Sequence, residues 1–88
     1  MYQVKLSKQA KEFIKEQTGK IQRQITKKLL LLKTNPKSPG YKKIEGRENT
    51  YRLRSGDYRI VYEIRESEII IYVFTIEHRS DIYRLLNR

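Results

Sequence analysis

The apolar residues of this 88-residue chain change from a helical to a strand period at Thr50, and that change limits the folds open to it. Between Ser7 and Asn35 they recur at helical spacing; from Thr50 to Ile76 they alternate or run continuously, as strands do. Ahead of the helical part, Tyr2, Val4 and Leu6 alternate with Gln3, Lys5 and Ser7, the period of a half-buried strand. Ser7 suits a helix N-cap. Ala10, Phe13, Ile14 and Gln17 follow on one helical face until Thr18-Gly19 interrupts them, with Gly19 expected as a C-cap glycine. A second helix carries Ile21, Ile25, Leu29 and Leu32 on one side, and Asn35-Pro36 stops it. Two helices in series with so short a break form an antiparallel pair.

Residues 35 to 49 hold both prolines and two of the four glycines, which reads as a connecting segment. In the next stretch Tyr51 and Leu53 share one face and Arg52 and Arg54 the other. Ser55-Gly56-Asp57 reads as a hairpin turn, after which Tyr58, Ile60, Tyr62 and Ile64 alternate with Arg59, Val61, Glu63 and Arg65. A second reversal at 65–67 leads into Ile69 to Ile76, apolar at almost every position, as expected for a central strand covered on both faces. Ser80-Asp81 then signals a short terminal helix with Ile82, Tyr83, Leu85 and Leu86. The fold class expected is α+β, a single domain over 1–88. It has an antiparallel β-sheet with two N-terminal helices packed on one face and a short C-terminal helix, in the order β-α-α-β-β-β-α.

Composition narrows the chemistry. The chain has no Cys and a single His, which excludes disulfides and thiolate metal sites and removes the usual zinc and iron constellations, so no metal and no cofactor are expected. No apolar run approaches the roughly 18 to 20 residues of a membrane span, and the N-terminus lacks the features of a signal peptide, so a cytoplasmic protein without membrane contact is expected. The formal net charge of +10 points to an anionic partner. It is unevenly distributed: residues 1–44 hold 11 Lys, 1 Arg and 2 acids, whereas 45–88 hold 8 Arg and 8 acids. Lys is a strongly hydrated point charge suited to nonspecific attraction, and Arg is a planar fork suited to positioned phosphate contacts. The first half reads as the attractor and the second as the site.

Side chains two apart on a strand point the same way, so Arg52 and Arg54 project together and the hairpin returns Arg59 beside them. Arg79, ending the last strand, and Tyr83 are placed to join this patch. The competing reading is structural, with Glu48, Asp57, Glu63, Glu77 and Asp81 pairing these arginines across strands.

The strings YRLRSGDYRIVYEI (51–64) and EIIIYVFTIEHRSDIYRLL (68–86) resemble the RelE/ParE toxin superfamily, and specifically its RelE-type members. The IEG segment at 44–46, the GDYR turn, the pair His78-Arg79 and a Tyr four residues later support it, and the likeness covers nearly the whole chain. The resemblance implies a compact microbial-RNase-like fold and an mRNA interferase toxin of a type II toxin-antitoxin system. Such a toxin is a metal-independent endoribonuclease that cleaves mRNA in the ribosomal A site by 2′-OH attack, inhibits translation, and is neutralised by a cognate RelB-like antitoxin in a heterodimer or heterotetramer. The resemblance makes Arg52, Arg54, Arg59, Arg79 and Tyr83 the catalytic set. With the ribosome and mRNA as partners, Lys20, Arg23, Lys27, Lys28, Lys33, Lys42 and Lys43 are expected to contact nucleic acid. The prototype has Lys where this chain has Arg52, and Arg is a poor general base, so Arg54, Glu45, Glu48 and His78 stand as candidates for that role. A ParE-like toxin that binds and poisons DNA gyrase, and a plain RNA-binding module, are the alternatives.

Overall fold

The structure is a computed structural model and describes residues 1–78. In chain order it comprises β1 (Gln3–Leu6), α1 (Lys8–Glu16), α2 (Gly19–Thr34), β2 (Lys42–Lys43), β3 (Thr50–Ser55), β4 (Tyr58–Arg65) and β5 (Ile70–His78). The strands form a five-stranded sheet in the order β1-β5-β4-β3-β2. Ala10, Ile25, Leu29 and Leu32 from the helices meet Leu53, Ile60, Tyr62, Ile64, Ile71, Val73 and Ile76 from the sheet. This is the expected α+β architecture with both helices on one face. The expected C-terminal helix lies outside the described residues, as do Arg79 and Tyr83.

Four local expectations are corrected. The sheet is mixed, because β1 pairs with β5 in parallel while the other pairings are antiparallel. Alternation determines which face of a strand is buried but says nothing of its direction. Within the connecting segment, Lys42 and Lys43 form the edge strand β2 against Arg52 and Tyr51, a pairing too short to leave a period. Gly19 is the first residue of α2, not a C-cap: α1 ends at Gln17 in an extended conformation. Side-chain amides serve the last carbonyls of α1, with Gln17 Nε2 donating to Phe13 O at 3.1 Å and Gln22 Nε2 to Ile14 O at 2.8 Å, so a left-handed glycine is not needed. Finally, β5 is not covered equally on both faces: Ile71, Val73 and Ile76 are buried against the helices, whereas Tyr72 and Phe74 are half-buried on the other side.

A bulge in β5 accounts for that arrangement. Val61 pairs with Thr75 and Tyr62 with Val73, leaving Phe74 as an extra residue, and this lets Val73 and Ile76, three apart, both face the core. Ser7 braces the bulge. Its hydroxyl caps α1 by accepting from Ala10 N at 3.1 Å and donates to Phe74 O at 2.6 Å. Beyond it, the Gln9 amide donates to Ile76 O and accepts from Ile76 N, extending the bonding of β5 past the end of β1. Among the described residues no helix is long and apolar enough to cross a membrane.

Tyr62 ties the sheet to the end of α2. Its fully buried ring sends Oη to Pro36 O at 2.5 Å, and burial, then the nearby Tyr41 and Tyr51 phenols, hold its hydroxyl well above the usual phenol range. A raised native value means that the folded state keeps its proton where the unfolded chain loses it, from about pH 10 upward. The stability Tyr62 provides is therefore complete below that pH and declines above it. Tyr62→Phe should lose about 1 kcal/mol at pH 7 and show a shallower decline toward alkaline pH, which urea titrations at both pH values would measure.

Candidate functional site

The open face of the sheet, away from the helices, carries the basic residues. On β3, Leu53 and Ser55 are buried while Arg52 and Arg54 project from the other face, half-buried and exposed respectively. Gly56, with φ at 62°, takes the first position of a two-residue turn between β3 and β4, a conformation that suits glycine and sets the register of the hairpin. In that register Arg54 stands opposite Arg59, and on the other side of β3 Lys42 stands opposite Arg52. The four cations thus form a stepped row across three strands, Lys42 beside Arg52 and, two residues further along β3, Arg54 beside Arg59 on the other side, with about 5 Å between strands and about 7 Å along β3. With Gly40 and Leu53 they line a depression of about 290 Å³.

Like charges directly opposite one another destabilise a sheet, and here two such pairs lie side by side. Arg59 is 4% exposed, so its guanidinium is held deep while Arg54 stands free to move at the rim. The structural alternative of cross-strand ion pairs is not found for Arg52 or Arg54, neither of which meets a described carboxylate within ion-pair distance. Glu63 binds Arg65 instead, raising the Arg65 pKa further through that hydrogen bond. Glu77 is opposite Arg59 in the register; its Oε1 accepts from Thr75 Oγ1 at 3.1 Å, and its buried Oε2 has no hydrogen-bond partner among the described residues.

The structure separates the other predicted site residues. Lys42 belongs to the pocket, and Lys43 borders a neighbouring depression with Glu45, Gly46, Arg47 and Glu48. Lys20, Arg23, Lys27, Lys28 and Lys33 lie on α2, in the layer on the opposite face of the sheet. Of the candidate bases, Arg54 is in the pocket and Glu45 and Glu48 are on the loop beside it. His78 is opposite Tyr58 and packs edge-to-face on its ring at 5.3 Å, while Tyr58 meets Phe13 of α1 at 5.7 Å, so His78 turns toward the helix side. Sequence reasoning missed one feature of the open face. Tyr72 and Phe74 contact one another edge-to-face at 4.8 Å, with Arg65 over Tyr72 at 4.9 Å and Arg47 over Phe74 at 5.9 Å. The signal was the spacing of Val73 and Ile76, which no strict alternation accommodates. Among the described residues no group of three or more His, Asp or Glu is placed to hold a metal ion.

A mixed sheet with two helices on one face is an architecture shared with known toxins. The profile of the family described as the ParE toxin of type II toxin-antitoxin system, parDE, matches residues 4–83. An Escherichia coli protein named as a RelE-like toxin is 34% identical over 88 residues, spanning 96% of this chain and 92% of that protein. A chain of the archaeal RelE-RelB complex from Pyrococcus horikoshii OT3 superposes with a TM-score of 0.79 at 25% identity, over 89% of this chain and 94% of that one. The isolated E. coli RelE toxin superposes with a TM-score of 0.77 at 23% identity, over 98% and 95%. The chain belongs to the RelE/ParE family of toxins of type II toxin-antitoxin systems.

The like-charged pairs make a prediction opposite in sign to most surface substitutions. Arg54→Thr, which relieves the repulsion opposite Arg59 and suits a strand, should stabilise the fold by about 0.2 to 1 kcal/mol. The gain should shrink as salt rises. Thermal melts at low and high ionic strength would detect it.

Proposed function

We propose that this toxin is a ribosome-dependent endoribonuclease that cleaves mRNA in the A site and so inhibits translation. The observation that carries the reading is the pair of like-charged cross-strand contacts, Arg54 with Arg59 and Lys42 with Arg52, around one open depression. Core packing gains nothing from it, and a phosphodiester placed there neutralises it. RNA supplies its own nucleophile: the 2′-hydroxyl gives up its proton and attacks the adjacent phosphorus, the bond to the 5′-oxygen breaks, that oxygen takes up a proton, and a 2′,3′-cyclic phosphate and a 5′-hydroxyl remain. The protein has to align these atoms and stabilise charge on the nonbridging oxygens. Arg59, set deep by its burial, is suited to hold the phosphate in one place, and Arg52 and Arg54 to close on it from β3. Arg does not accept a proton near neutral pH, so these side chains act by position and charge. Arg79 and Tyr83 complete the set on the strength of the family likeness. No metal is required by a mechanism built on guanidinium groups.

In this reading the basic residues of α2 and Lys43 attract ribosomal RNA over a distance without touching the reacting phosphate, and the protein works in the cytoplasm, where ribosomes are. Solved relatives are RelB-RelE complexes from E. coli, P. horikoshii and Methanococcus jannaschii, which supports a RelB-like antitoxin as the neutralising partner, in a heterodimer or heterotetramer. A second reading, a ParE-like toxin that poisons DNA gyrase, is favoured by the description of the matching family.

Mapping mRNA ends on ribosomes programmed with one A-site codon, beside a gyrase supercoiling assay, separates the two. Wild-type protein should cut within the A site and leave supercoiling untouched. Arg59→Ala, and Arg52→Ala as a more exposed control, should slow cleavage by ~100-fold or more while remaining folded by thermal melt. Intact mRNA together with inhibited supercoiling would reject the nuclease reading.

A further inference from the structure

We propose that Phe74 and Arg47 form a slot for one nucleobase, so that RNA whose phosphate lies among the basic residues places a neighbouring base between the ring and the guanidinium. The inference rests on the RNA-cleaving reading and adds to it a base-binding element outside the charged pocket. Phe74 is unusual in its placement. Of the two Phe in the chain, Phe13 packs against the core, whereas Phe74 is the extra residue of the β5 bulge and faces the open side of the sheet. Bulges re-aim side chains beside functional sites. This one is fixed from behind by Ser7, whose backbone N bonds Val73 O at 2.9 Å and whose hydroxyl bonds Phe74 O at 2.6 Å.

The two aromatic rings differ in how they are covered. Tyr72 has Arg65 over it at 4.9 Å, and Arg65 is itself bound to Glu63, so that ring is closed and supports the edge of Phe74. Over Phe74 stands Arg47, at 5.9 Å, near the outer limit of about 6 Å for an attractive cation–ring contact. Arg47 is on the exposed 44–49 loop, directly after Gly46 in a left-handed conformation at φ 82°. A base held between ring and guanidinium needs about 7 Å, two contact distances of roughly 3.5 Å, and an outward shift of Arg47 by about 1 Å supplies it.

Position and chemistry agree. Lys42, Arg52, Val61 and Thr75 form one cross-strand row, and Phe74 is the next residue on β5. Phe74 is therefore about 10 Å from Arg52, two strand spacings, comparable with the span from a phosphate to the base of a neighbouring nucleotide. An apolar ring face does not select phosphate or ribose, and a flat base stacks on it whatever its identity.

The probe is a short oligoribonucleotide with a 2′-deoxy sugar at the scissile position, compared with versions abasic at each flanking position, its affinity read by fluorescence polarisation at fixed salt. One abasic change should weaken binding to wild-type protein about 5- to 100-fold. In Phe74→Leu the intact oligonucleotide should lose a similar factor and the abasic penalty should fall below about twofold; Phe74→Tyr should retain the penalty. Arg47→Ala, in an exposed loop, should lose part of it and guards against a folding defect in the Leu variant. If wild-type protein binds the oligonucleotide with no abasic penalty, or Phe74→Leu keeps the full penalty, the slot is wrong while the RNA reading stands. If wild-type protein does not bind the oligonucleotide, the slot is wrong, and the RNA reading stands or falls separately on cleavage by programmed ribosomes.

Discussion

The register of the β3–β4 hairpin is the constraint on which the site depends. With two residues in the turn and Gly56 in the left-handed region, Arg54 is set opposite Arg59, and Leu53 opposite Ile60 on the buried face. A slip of one residue would exchange the faces, burying guanidinium groups and exposing the core row. The apolar contacts of Leu53, Ile60 and Tyr62 against Ile25, Leu29 and Leu32 therefore hold the basic pocket in register from the opposite face of the sheet. Tyr62 strengthens this from the far end, where its hydroxyl meets the chain just after α2.

The same register imposes a cost. Repulsion across two neighbouring strand pairs opposes folding, and stability of a small domain is only some tenths of a kcal/mol per few residues. The chain tolerates it because the opposing face is fully packed and the edge of β5 is closed by Ser7 and Gln9. An anion bound in the pocket, as proposed, would remove the repulsion, so binding and stability would be linked through the same four side chains. Such linkage would set the pocket apart from a merely basic surface such as that of α2, where lysines spread along a solvated helix.

Much of this is legible in the sequence because it depends on period. The alternation of Tyr51 to Arg54 and of Tyr58 to Arg65 places Arg52, Arg54 and Arg59 on one face by spacing alone. Strand direction is another matter, since the pattern of Tyr2, Val4 and Leu6 is the same whether β1 runs parallel or antiparallel to β5. Lys42 enters the pocket through a two-residue strand that no period reveals. Gly19 is misplaced by the sequence pattern because Gln17 and Gln22 do with side chains what a C-cap glycine does with its backbone. Phe74 escapes notice because an all-apolar run hides a bulge: only the three-residue step from Val73 to Ile76 betrays it, and only once both are known to be buried.

In the proposed reading, a phosphodiester binds at the stepped row of Lys42, Arg52, Arg54 and Arg59. The most direct measurement is an NMR titration of isotope-labelled protein with a 2′-deoxy trinucleotide, following backbone amides together with arginine side-chain N–H signals. Saturable shifts are expected at those four residues, with the basic residues of α2 responding weakly and losing their response as salt is raised. Shifts concentrated on α2, with the β3–β4 hairpin unperturbed at saturation, would contradict that reading.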